Sequence, residues 1–269
     1  MNPVITILFL ITFISCSSSR INRKISESYL DAMAEESLLR WNEQRLNSIP
    51  TSLANLCYKD ENGRVKFKEQ FQQHSTKEFY WIQLGNCYFL TEKWPKAEFY
   101  YRLALESSTN KSIRTLASNN LALLSFKYQQ WKIGHAYLKE AISLNPAARV
   151  PKFNLSQLYI QFGQFDLALS LLTSSVFIGV QDVDLNLSLG TIWLFKGDLK
   201  KADIYLGLIP GTYTQREDVA AVLALLELKK GNLIRAKDVL ESRDRSHVPE
   251  LTTISQNLNK IINNRLQQE

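Results

Sequence analysis

Catalytic signatures are missing from this sequence. It has no H-E-x-x-H, no G-x-S-x-G, no phosphate-binding G-x4-G-K-S/T and no C-x-x-C. Its three histidines, His74, His135 and His247, lie far apart in the chain. Enzymatic activity is therefore not expected, and no cofactor, metal or small-molecule substrate is implied. Runs of positive charge are lacking too. Lys and Arg total 32 against 26 Asp and Glu, for a net charge of +6 and a pI near 9.1. These cations are scattered, as Arg20, Lys66, Lys132 and Arg235 show, whereas a nucleic-acid binder gathers them on one face. Nucleic acid is thus not an expected partner, and the mild excess reads as a solvated basic surface. Cysteine is scarce, at three residues: Cys16, Cys57 and Cys87.

A chain of 269 residues holds one or two ordinary domains, or one solenoid. Its 45% hydrophobic and 22% charged content is that of a globular protein. Residues 4–14 form an apolar run of 11, broken only by Thr6 and Thr12. A spanning helix needs about 20 apolar residues and a signal-peptide core about 7 to 15, so the run reads as a secretory signal. Phe13-Ile14-Ser15-Cys16 follows, then three serines.

This junction of a small residue and Cys resembles the lipobox of bacterial lipoproteins. The resemblance implies cleavage after residue 15, a diacylglycerol on the Cys16 thiol and acylation of the new amine. Phe13 stands where Leu is usual and no Lys or Arg precedes the core. An ordinary cleaved signal with an incidental Cys16, or a short uncleaved anchor, therefore stays open. Several acyl chains hold a protein on a bilayer far more firmly than one. Ser17, rather than Asp, after the Cys matches the outer-membrane sorting pattern, which implies the inner leaflet facing the periplasm. Residues 16–28 read as a flexible lipidated tether.

Residues 29–46 place Leu30, Met33, Ala34, Leu38 and Trp41 at helical spacing and predict one amphipathic helix. Residues 52–58 and 66–73 read as two shorter helices around the turn Asp60-Glu61-Asn62-Gly63. Residues 29–77 are thus expected to be an N-terminal helical cap.

Within residues 78–106, Trp81, Leu84, Gly85 and Tyr88 share one helical face, and Ala97, Tyr101 and Ala104 share another. Four more copies stand in register, starting at 115, 149, 183 and 217. Position 7 holds Leu84, Leu121, Leu155, Leu189 and Leu223. Position 8 is small throughout: Gly85, Ala122, Ser156, Gly190 and Ala224. Position 20 is small as well, with Ala97, Gly134, Ala168, Ala202 and Ala236. Position 15 is Gly163, Gly197 and Gly231 in the last three copies. Three extra residues between the first two copies fit the polar loop at residues 107–112. The pattern fades at the end, where position 11 becomes Glu227 and position 27 becomes Arg243, as in a repeat with less to pack against. Residues 249–269 place Leu251, Ile254, Leu258, Ile261, Ile262 and Leu266 on one face of a closing helix, with Lys260, Asn263 and Arg265 in water.

The signature W-x2-L-G-x2-Y followed by A-x3-F, here with Tyr101 for Phe, resembles the tetratricopeptide (TPR) repeat. That resemblance implies an all-α fold, a right-handed TPR superhelix of five repeats over residues 78–248 between the two caps. It also implies a concave groove that binds a protein or peptide. Carried onto this chain, the groove positions are Phe79, Ile82 and Asn86 from the first repeat and Asn119, Asn120, Leu123 and Phe126 from the second. The third supplies Phe153, Asn154 and Gln157. Phe89 and Ile160 read equally as groove or as packing. Ile82 and Val150 stand where a carboxylate-clamping TPR has cations, so that mode is not implied. His135 is expected to be half-exposed without a role, and Cys57 and Cys87 to be two isolated thiols rather than a pair. A lipid-anchored protein of five regular repeats is similar to the type IV pilus biogenesis lipoprotein, which implies a scaffold helping a secretin assemble. Other TPR lipoproteins dock peptidoglycan hydrolases or synthases, and that adaptor role is the alternative.

Overall fold

Short alternating stretches of β-branched and aromatic residues open the described chain. Cys57–Lys59 (β1) and Val65–Phe67 (β2) pair antiparallel, with Cys57 opposite Phe67 and Lys59 opposite Val65. This corrects the expectation of two helices there. Tyr58, Val65 and Phe67 favour strands, and Asn62-Gly63 between them is a strong hairpin signal that outweighs a helical reading of so short a stretch.

The computed structural model describes residues 57–59, 65–67, 77–174, 177, 182–244 and 249–268. The expected signal segment, lipid site, tether and helix at residues 29–46 lie outside them, as do His74 and His247. Apart from the β-hairpin the described fold is all-α. Its eleven α-helices are α1 (Lys77–Leu90), α2 (Trp94–Ser107), α3 (Lys111–Lys127), α4 (Trp131–Leu144), α5 (Arg149–Gln161), α6 (Phe165–Leu172), α7 (Val183–Lys196), α8 (Leu199–Gly207), α9 (Glu217–Lys230), α10 (Leu233–Glu241) and α11 (Pro249–Leu266).

Contacts divide the chain into two compact units, the division falling inside α5 between Leu155 and Ser156. In the first unit α1 packs on α2, α2 on α3, α3 on α4, and α1 also meets α3. In the second, α6 meets α7, and α7, α8, α9 and α10 pack in chain order, with α7 also touching α9. Helix α11 lies on both α9 and α10.

The turn inside every helical pair is the same. Glu92, Gln129, Gly163, Gly197 and Gly231 have φ of 60°, 58°, 69°, 81° and 85°. Each donates its N–H to the carbonyl three residues back, and the next residue donates five back, as Lys93 does to Tyr88 and Asn232 to Glu227. This is the Schellman closure of a helix, which satisfies carbonyls that the helix end leaves open. The small columns have a steric cause. A Cβ on Gly85 would lie 2.3 Å from the Tyr101 ring, and one on Gly190 2.5 Å from Cγ of Leu206.

The three extra residues of the second copy do not enlarge a loop. They lengthen α3, which has 17 residues against 14 in α1, because the Asn110 side chain accepts from the N–H groups of Ser112 and Ile113 and starts the helix early. The second helices differ between units: α2 and α4 have 14 residues, whereas α6, α8 and α10 have 8, 9 and 9. After α8, Pro210 blocks continuation. The second unit's core joins Leu187, Leu206, Val222 and Leu240 to Leu251, Ile254, Leu258 and Ile262 of α11. Ile261 and Leu266 pack beside it, Lys260 and Arg265 are exposed, and Asn263 is half-buried.

Candidate functional site

Asparagine in the middle of a helix brings an amide that must be hydrogen-bonded if it is buried. Four such amides lie on the first helices of the first unit. The Asn86 Oδ1 accepts from the Tyr101 hydroxyl at 2.8 Å and from Nδ2 of Asn120 at 2.7 Å. Asn119 Nδ2 donates to Asn120 Oδ1 at 3.0 Å, and Asn154 Nδ2 donates to Asn119 Oδ1 at 2.9 Å. The result is one ladder, Tyr101–Asn86–Asn120–Asn119–Asn154, running through α2, α1, α3 and α5. All four asparagines are 0% exposed. In a buried setting such a chain of amides fixes the register of neighbouring helices, since slipping one strands its partners.

Of the groove residues expected from the first three copies, the structure links the four asparagines of the first unit, and it buries them rather than leaving them open. Phe79, Ile82, Leu123, Phe126 and Phe153 are buried, and so are Phe89 and Ile160. Phe126 turns into its own helical pair, stacked on Trp131 at 5.7 Å and closing over Gly134. Gln157, in the second unit, is buried and donates to the Ser188 hydroxyl at 2.9 Å. Its Oε1 has no hydrogen-bond partner among the described residues.

Cys87 also departs from the sequence reading. It is fully buried and disulfide-bonded, not an isolated thiol. His135 is half-buried; burial, and then the charge of Lys139, lowers its pKa.

The second unit carries an ion cluster that repeat arithmetic passed over. Arg216, just before α9, reaches Asp184 at 2.7 Å and Asp218 at 2.7 Å, and both carboxylates are almost fully buried. Burial disfavours the guanidinium charge, but Asp218 and Asp184 outweigh it and hold Arg216 above the ordinary arginine range. Arg243 reaches Glu217 at 3.2 Å. The signal available in the sequence was Arg216-Glu217-Asp218, a cation followed by acids in a helix's first turn. Glu227 is buried as well, accepting from Asn232 at 2.8 Å and Lys230 at 3.1 Å. The last repeat thus replaces an aromatic contact with a polar one, which corrects the reading that it merely packs less.

Apolar side chains left in water lie mainly on second helices: Phe99, Ile133, Leu167, Ile204 and Ile234. In the first unit Ile133 borders a shallow depression shared with Lys132, Ala136, Tyr137 and Glu140. The Tyr137 hydroxyl there accepts from Arg102 at 3.2 Å.

No family model matches the sequence, and no curated protein matches it. Among solved structures, the crystal structure of TTC0263, a thermophilic TPR protein of Thermus thermophilus, superposes with a TM-score of 0.52 at 18% identity, covering 67% of this chain and 98% of that one. MamA from AMB-1 gives 0.48 at 15% identity, over 61% and 95%. MamA from MSR-1 gives 0.47 at 15% identity, over 70% and 99%. The first of these, with the paired helices and their shared turn, makes the fold the TPR fold.

Proposed function

We propose that this chain is a non-enzymatic protein-binding scaffold, held by lipid on Cys16 to the inner leaflet of the outer membrane and facing the periplasm. The observation that carries the scaffold reading is the TPR fold itself. Helical pairs that pack only on their neighbours present extended faces, and such faces suit a protein or peptide better than a small substrate. The export reading is supported by the length of the apolar run before Cys16 and by the disulfide on Cys87, a bond that persists in oxidising compartments. The process proposed is assembly of an envelope machine such as a type IV pilus secretin.

Three measurements test this in stages. Cys16→Ala is expected to block processing and release the protein from membranes; normal processing and retention of the variant overturn the lipid anchor. Deletion of the gene is expected to leave secretin subunits monomeric on a gel, and unchanged multimers remove the secretin role. In-cell crosslinking followed by purification is expected to recover secretin subunits. Recovery of peptidoglycan hydrolases or synthases instead moves the scaffold to the adaptor role.

A further inference from the structure

The cations form no run along the sequence, yet they are unevenly shared in the fold. Residues 77–155 hold 11 Lys and Arg against five Asp and Glu, whereas residues 156–269 hold 12 against 13. A surplus equal to the whole net charge of +6 thus falls within the first unit.

In that unit the second helices α2 and α4 both pack on α3, and side chains bridge their facing flanks. Arg102 of α2 donates to the Tyr137 hydroxyl of α4 at 3.2 Å, and Trp94 meets Tyr128, just past α3, edge-on at 6.0 Å. Tyr137 is also a wall of the depression that Lys132, Ile133, Ala136 and Glu140 complete. Between Ile133 and Tyr137 the side chain of Ala136 is a single methyl, which leaves room for a side chain from outside. Ile133 is 46% exposed. Phe99, which helical spacing turns away from the buried stripe of Ala97, Tyr101 and Ala104, is 60% exposed.

The acids beside this furrow already have cations. Glu98 pairs with Arg102 at 2.8 Å and Glu140 with Arg114 at 3.2 Å. Lys132 makes no ion pair with a described residue, and the Lys127 ammonium stands over the Trp94 ring at 5.7 Å. The furrow therefore combines apolar walls with an excess of positive charge, which complements an apolar stripe flanked by carboxylates. A helix suits it better than an extended peptide, because the flanks of two helices offer no open backbone groups for a strand to pair with. A bilayer suits it less, since a flat surface does not fill a depression.

We propose that the outer furrow between α2 and α4 docks an acidic amphipathic helix of a partner protein. The partner's apolar stripe seats on Phe99, Ile133, Ala136 and Tyr137, and its carboxylates meet Lys127 and Lys132. The inference rests on the scaffold reading and moves the contact from the buried groove positions to the outside of the first two repeats.

The test pans a displayed library of helical peptides of about 18 residues, five turns, on the full mature protein. The library is first depleted on the double variant Lys132→Glu, Ile133→Asp. Enriched sequences are expected to be net negative, with apolar residues at i, i+3, i+4 and i+7. By fluorescence anisotropy, Ile133→Asp is expected to raise the Kd of the best synthetic peptide at least about tenfold, and Ile234→Asp in the second unit to leave it unchanged. Phe99→Ser, at a more exposed site, is expected to weaken binding too and repeats the test if Ile133→Asp melts below the parent. No enrichment, basic or unpatterned winners, or unchanged affinity in a folded furrow variant overturns the proposal. Phosphatidylglycerol vesicles that sediment the parent but not Ile133→Asp would give the furrow to a membrane. Self-association abolished by Ile133→Asp would give it to a second copy, and either result overturns the proposal as well. Envelope proteins recovered by in-cell crosslinking without furrow binders sink this inference and leave the scaffold reading, whereas furrow binders with no partner recovered do the reverse.

Discussion

At position 15 of each repeat the backbone turns left-handed whatever the side chain. Glu92 and Gln129 sit there at φ of 60° and 58°, where the last three repeats use glycine. A side chain costs about 1–2 kcal/mol in that region, partly offset by the lower entropy of the unfolded non-glycine chain. Glu92→Gly and Gln129→Gly are each expected to stabilise by about 0.5–1 kcal/mol, read as a higher urea midpoint at unchanged slope. The glycines of the last three copies were visible in the sequence, but the conformation shared by all five was not, since Glu and Gln carry no left-handed signal. The asparagines teach a related lesson. Repeat position brought Asn86, Asn119, Asn120 and Asn154 to neighbouring helices, yet position says nothing about what covers them. Asn120→Ala removes one of the two described bonds to Asn86 Oδ1 and the described acceptor of Asn119 Nδ2, both in a buried site. Its expected cost is about 1–3 kcal/mol, and Asn154→Ala should couple to it in a double-mutant cycle. Additive losses would mean that the ladder does not act as a unit.

Among the elements, long periodic helices were legible and short ones were not. Helices α7 and α9 begin at Val183 and Glu217, where the repeat arithmetic placed copies. The β1–β2 hairpin was missed because three-residue strands carry almost no periodicity, leaving only Asn62-Gly63 to mark it. In α9 the change to Glu227 looked like decay, whereas its carboxylate closes the turn to α10 through Asn232 and Lys230. Burial raises its pKa, but those bonds and the nearby cations outweigh it, so the folded value is depressed. A depressed carboxylate contributes stability above its unfolded pKa, about 4.3, and loses it as pH falls through the lower folded value. Glu227→Gln is therefore expected to flatten the acid limb of the stability curve below about pH 5 while leaving the slope near neutrality alone. An unchanged acid limb would assign that loss to other carboxylates.

For the whole molecule, fold was readable because a 34-residue period multiplies weak signals five times, whereas partner choice leaves no such repetition. The cysteines bridge the two kinds of knowledge. Three thiols allow three pairings, and the disulfide at Cys87 excludes only the one without it. A thioether to lipid on Cys16 leaves that sulfur unable to join a disulfide, so the proposed anchor predicts Cys57 as the partner of Cys87. Closing the chain from residue 57 to residue 87 removes about 3–4 kcal/mol of unfolded-state entropy by the loop-length relation. Cys57→Ser is expected to lower stability by up to that amount, and reduction of the parent protein should lower it comparably. Digestion without reductant should yield one linked peptide pair containing Cys57 and Cys87, with the lipid on the peptide that begins at Cys16. A Cys16–Cys87 link would remove the lipid anchor while keeping the disulfide. A free Cys57 together with a lipidated Cys16 would mean that a second molecule supplies the bond, and the destabilisation by Cys57→Ser would then vanish.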